Sequence, residues 1–108
     1  MPLIGSTSDK TTVDLARSTS ELITNLSIPL ATTEVSHALS TNLKQLIIRI
    51  RSGTSNAQVA FTATESATKY VTIRRGSVLL LNDLDFTSKT LYIQTDKASQ
   101  TAEILELF

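Results

Sequence analysis

From residue 22 onward the sequence is built of short runs in which apolar and polar residues alternate. Alternation with a period of two is typical of strands with one buried face, because successive side chains of a strand point to opposite sides. The clearest run is Leu43–Arg51, in which Leu46, Ile48 and Ile50 share one face and Ile47 is an apolar residue on the other. No helical pattern of ordinary length competes with these runs, so the chain is predicted to be all-β.

Eight such runs follow one another, separated by serine, threonine, asparagine and glycine, at the spacing of a β-sandwich or barrel. We predict a single antiparallel β-sandwich of about eight strands over residues 21–108. The strands are placed at Leu22–Leu30, Glu34–Leu39, Leu43–Arg51, Val59–Ala63, Tyr70–Ile73, Val78–Leu81, Thr90–Thr95 and Ala102–Phe108. The predicted core residues are Leu26, Ile28, Leu46, Ile48, Ile50, Val59, Phe61, Val71, Ile73, Leu91 and Ile93.

The first 20 residues differ from the rest because they hold few large apolar side chains, namely Leu3, Ile4, Val13 and Leu15. So few apolar groups cannot offset the conformational entropy of ordering the segment on its own domain. We predict an extended N-terminal arm over residues 1–20, and we expect it to lie on another chain. Its four apolar residues are candidate interface residues.

The composition of the chain limits the classes of partner that can be expected. Ten basic and ten acidic residues balance, so a nucleic-acid partner is not expected. The chain has no cysteine for a disulfide or a thiolate site and no apolar run of the roughly 20 residues that would cross a membrane. Its first residues lack a basic stretch followed by an apolar one, so we expect no export signal. A chain of 108 residues leaves much of its surface in water, so association with copies of itself or with another protein would stabilise it.

Catalytic and metal-binding patterns are not found in the sequence, so we predict no enzyme activity, no cofactor and no metal. His37 is the only histidine, and it shares the parity of Val35 and Leu39, which favours a structural role. The chain has no nucleophile elbow and no well-placed carboxylate pair. Asp83 and Asp85, together with Asn82 and Asp96, could offer oxygens to calcium, but their spacing matches no defined calcium loop, so a plain loop is favoured.

Arginine and tyrosine side chains are the remaining candidates for an interface. Arg49, Arg51, Arg74 and Arg75 could gather if their strands are neighbours, or could simply lie on a solvated face. Residues 44–75 hold six basic residues and one acidic residue, whereas residues 83–106 hold five acidic and two basic residues, which suits copies that meet face to back. Tyr70 and Tyr92 are predicted on the face opposite the core, where they could stack on sugars, anchor a protein or pack across strands.

Four segments together resemble small virion proteins of tailed bacteriophages. They are a basic strand at residues 47–53, a glycine turn before a hydroxyl residue at 70–77, a Leu-Tyr-Ile strand at 90–95 and a terminal strand with Glu-Ile at 102–108. The resemblance covers about residues 22–108. It implies a jelly-roll-like β-sandwich, present in several copies in the virion as capsid decoration, head fibre or tail accessory, without catalysis.

The favoured hypothesis is therefore a capsid decoration or cement protein that binds the major capsid protein or another virion protein through its arm and sandwich faces. A tail or neck accessory protein is a variant of it. The alternative from another class is a carbohydrate-binding or other ligand-binding module that uses Tyr70 and Tyr92.

Overall fold

The computed structural model describes residues 20–82 and 89–108, which form eight strands in two four-stranded antiparallel sheets. The strands are β1 Glu21–Ile28, β2 Val35–Ala38, β3 Gln45–Ile50, β4 Ala57–Ala60, β5 Val71–Ile73, β6 Val78–Leu81, β7 Thr90–Thr95 and β8 Gln100–Leu107. Sheet 1 has the order β1-β8-β3-β6 and sheet 2 has the order β2-β7-β4-β5. The predicted antiparallel β-sandwich is confirmed, while the arm up to residue 19 lies outside the described residues.

The strand pairs are nested along the chain. β1 pairs with β8, β2 with β7, β3 with β6 and β4 with β5, as in one long hairpin folded over on itself. Two additional pairs, β3 with β8 and β4 with β7, join these four strand pairs into two sheets. This is the strand order of a jelly roll.

The core lies between the two sheets and is formed by the faces that the alternation predicts. Eight of the predicted core residues are buried, and Leu26 and Phe61 pack against them from partly exposed positions. The eight are Ile28, Leu46, Ile48, Ile50, Val59, Ile73, Leu91 and Ile93. Local alternation therefore identifies the buried face of the five strands from which core residues were predicted, namely β1, β3, β4, β5 and β7.

Val71 is the exception, because its side chain is 56% exposed. It faces the same way as Ile73, but it begins the three-residue strand β5, which lies at the edge of sheet 2 with β4 as its one neighbour. A residue at the end of an edge strand is poorly covered even when its parity is correct. The prediction of Val71 as a core residue was wrong for this reason.

The segment after β4 also differs from the prediction, since the strand ends at Ala60 and not at Ala63. Thr64 takes a left-handed conformation with φ of 69°, and a short 3-10 helix follows at Glu65–Ala67. The Glu34 carboxylate accepts hydrogen bonds from the backbone N–H groups of Thr64 and Ser66 and from the Ser66 hydroxyl. These bonds, the hydroxyl one above all, lower the pKa of Glu34 below its ordinary value of 4.5.

The turn between β5 and β6 is as expected, because Gly76 has a φ of +77°, a conformation that glycine adopts at little cost. Within the described part of the chain, no helix is long and apolar enough to span a membrane.

Candidate interaction surface

An apolar row crosses the outer face of sheet 1. The strand register aligns Ile23 with Leu105, Leu105 with Ile47, and Ile47 with Leu80, so that each of the four strands contributes one residue. All four lie on the outer face, because side chains alternate along a strand and residues of the opposite parity on each of the four strands are buried or pack against the core. Ile23 is 65% exposed and the other three are half-buried. We call these four residues the outer row.

A charged group lies beside the outer row. Arg49 is aligned with Glu103, and the two Glu103 carboxylate oxygens accept hydrogen bonds from Arg49 Nε at 2.5 Å and Arg51 Nε at 2.8 Å. The two arginines, Arg49 first, lower the pKa of Glu103 below its ordinary value. The charges that are segregated along the sequence thus meet within one chain, because β3 and β8 are neighbours in sheet 1.

The other two candidate arginines lie in the turn between β5 and β6, and both are exposed. The Arg75 backbone N–H donates to the Asn56 side-chain oxygen at 2.7 Å, which fixes the turn against the loop before β4. Arg49 is aligned with Val78, two residues after Gly76, so this turn lies at the Arg49 end of the β3–β6 pair. The described structure therefore brings the four arginines toward one end of sheet 1.

The tyrosines lie on the outer side of sheet 2. Tyr92 is half-buried and is aligned with Ser36 and Ala60 on the neighbouring strands. Tyr70 directly precedes β5 and is 43% exposed. The 3-10 helix covers part of the same face, where Ser66 and Gln58 hydrogen-bond to Gln94. The exposed aromatic area is thus confined to one side of this face.

A buried polar pair connects the two sheets. His37 of β2 is hydrogen-bonded through Nε2 to the Glu106 carboxylate of β8 at 3.0 Å, and the Ser40 N–H donates to the other Glu106 oxygen at 2.6 Å. Glu106 is fully buried and His37 is partly buried. The structural role predicted for His37 agrees with this contact. Glu106 was missed, although it shares the parity of the core residues Ala102 and Ile104.

The possible calcium ligands are only partly described, since Asp83 and Asp85 lie outside the described residues. Asp96 accepts hydrogen bonds from the Ser55 hydroxyl and the Asn56 N–H, and these bonds lower its pKa. Over residues 20–82 and 89–108 there is no group of three or more acidic, histidine or cysteine side chains placed to hold a metal ion. The arm residues Leu3, Ile4, Val13 and Leu15 also lie outside the described residues.

Comparisons with protein-family models, with curated proteins and with solved structures found no match to this chain.

Proposed function

We propose that this protein is a structural virion protein of a tailed bacteriophage, a capsid decoration or cement protein that acts without catalysis. The observation that carries the proposal is the outer row, an apolar path across all four strands of sheet 1. Apolar residues gathered on an outer face, with polar groups beside them, are typical of protein interaction sites. A protein that assembles onto a particle would bind a neighbouring protein through such a face.

The jelly-roll fold is compatible with a virion function but does not by itself distinguish that function from others. Jelly rolls occur in viral capsid proteins, but also in lectins and other classes, so the fold alone does not decide. The resemblance of four sequence segments to small phage virion proteins favours the virion among these classes. In the described residues the most buried ionisable contact, His37 with Glu106, joins the two sheets, which is a structural use of those groups.

The first test of the proposal asks whether the N-terminal arm is needed for binding to the particle. Deleting residues 1–19 leaves the hydrogen bonds between Ser20 and Phe108 in place, so the sandwich is expected to fold normally. The arm carries four of the candidate interface residues, and its loss is expected to abolish binding to the particle. The measurement is co-sedimentation of the full chain and of the deletion variant with undecorated particles of the phage whose genome encodes the chain.

A second variant separates the apolar side chains of the arm from its length. It replaces Leu3, Ile4, Val13 and Leu15 with serine and keeps all residues of the arm in place. This variant is expected to lose binding as the deletion does, because it removes the apolar contacts alone. Circular dichroism of each variant checks that the sandwich is intact. Undiminished co-sedimentation of the deletion variant would refute the anchoring role of the arm.

A second function is favoured by the two tyrosines on the outer side of sheet 2. Aromatic rings on an exposed face can stack on sugar rings, and Tyr70 and Tyr92 share this face. A ligand-binding module of this kind predicts specific binding on a glycan array that Tyr92→Ala removes. The assembly role predicts no specific signal on the array and no effect of Tyr92→Ala on it.

A further inference from the structure

Strand β1 is a long edge strand without the features that usually protect one. Its eight residues, Glu21–Ile28, pair one-to-one with β8 and contain no bulge, no proline and no lysine. Proteins commonly protect sheet edges with bulges, proline, lysine or short strands, because a free edge pairs readily with another strand. The other edge strands are short: β2 and β6 have four residues each and β5 has three. Within the described residues, β1 has a neighbour on one side only.

The backbone groups at this free edge can be assigned from the ladder. Ser20 and Phe108 exchange two backbone hydrogen bonds, at 2.7 and 2.9 Å. In an antiparallel pair such residues alternate with residues whose N–H and C=O groups point away from the partner strand. Glu21, Ile23, Asn25 and Ser27 therefore direct their backbone N–H and C=O groups toward the free edge.

We infer that two copies of this chain associate through their β1 strands, antiparallel about a two-fold axis, with Ile23 opposite Ile23 of the second copy. The two copies of sheet 1 then form one continuous sheet. In this register the outer row also continues across the axis, so that Leu80, Ile47, Leu105 and Ile23 meet the same four residues in reverse order. Ile23, the most exposed large apolar residue of the described chain, is covered on its free side.

The register follows from self-complementarity, which any two-fold interface requires. With Ile23 on the axis, Glu21 is aligned with Asn25 of the second copy, and no like charges face each other. Moving the axis to Thr24 would place Ile23 against Asn25 and interrupt the apolar row. A second copy therefore matches this edge better than an extended peptide of arbitrary sequence. Such a peptide would not in general place an apolar residue beside Ile23.

Cysteine cross-linking tests the register, because the chain has no cysteine of its own. Two residues that face each other as a hydrogen-bonded antiparallel pair have Cα atoms about 5.5 Å apart. The variant Ile23→Cys is therefore expected to form a covalent dimer with a short bifunctional thiol reagent. The matched control is Asn25→Cys, whose two copies would lie roughly 13 Å apart, four residues along the strand. A second control, Val78→Cys, lies on the opposite edge of the same sheet.

A non-covalent measurement complements the cross-link. Asn25→Pro removes an N–H group that points to the free edge and leaves the hydrogen bonds to β8 in place, so the sandwich is expected to fold and the dimer to weaken at least tenfold. Sedimentation velocity across a concentration series, with circular dichroism as the folding check, measures this. A parent protein that stays monomeric at high micromolar concentration, or cross-linking at Asn25→Cys as efficient as at Ile23→Cys, would overturn the inference.

The inference deepens the proposed assembly role, but the two can fail separately. A dimer through β1 that binds no particle would contradict the proposed virion function and leave the pairing intact. A monomer that binds particles would contradict the pairing and leave the proposed function intact.

Discussion

Replacing Ile48 with alanine is expected to lower the free energy of unfolding by about 2 to 5 kcal/mol. Ile48 is fully buried in β3, between β8 and β6, and its side chain belongs to the core between the two sheets. The truncation removes apolar contacts and leaves a cavity that the surrounding strands can only partly fill. Equilibrium unfolding in urea, followed by circular dichroism, measures the loss.

Val78→Ala is the matched control, because Val78 lies on the adjacent strand of the same sheet but is 52% exposed. Surface substitutions of this kind change stability by about 0.5 kcal/mol or less. If Ile48→Ala unfolded at the same urea concentration as Val78→Ala, the assignment of inner and outer faces in sheet 1 would be wrong.

The second large effect is expected at Glu106, the buried carboxylate that joins the sheets. Glu106→Ala leaves His37 and the Ser40 N–H without their acceptor, and each buried polar group without a partner costs about 1 to 3 kcal/mol. For the two groups together we therefore expect a loss of about 2 to 6 kcal/mol in the free energy of unfolding. The same urea titration measures it.

Glu106→Gln separates the hydrogen bonds from the charge. The glutamine has nearly the same shape and keeps one side-chain oxygen, which can still accept from the Ser40 N–H, while its amide can donate to a neutral His37. This variant is expected to lose clearly less stability than Glu106→Ala. Equal losses in the two variants would mean that the charge of Glu106, and not its hydrogen bonds or its packing, accounts for the stability that the residue contributes.

The strands could be predicted from the sequence because alternation is a local signal. It placed eight strands and most of the core, since a residue's parity decides the side of the sheet on which it lies. It failed at Val71, where the position at the end of an edge strand decides burial. It also failed after β4, where the carboxylate of Glu34, thirty residues before Thr64, sets the backbone conformation.

The outer row could not be predicted from the sequence in the same way, because it depends on which strands are neighbours in the sheet. Ile47 stood out in the sequence as an apolar residue on a polar face, and β8 had apolar residues on both faces. Only the register of β8 between β1 and β3 aligns Leu105 with Ile23 and Ile47. The same neighbour relation pairs Arg49 and Arg51 with Glu103, which no local pattern indicates.

The proposed virion role is tested most directly by an imaging reconstruction, at side-chain resolution, of intact particles of the phage that we propose as the source of this chain. We expect repeated copies of this jelly roll on the capsid, with the arm in contact with another virion protein and the outer row of sheet 1 covered. Particles that lack the chain altogether, or that hold it with both the arm and the outer row exposed to solvent, would contradict the proposed role as a capsid decoration or cement protein.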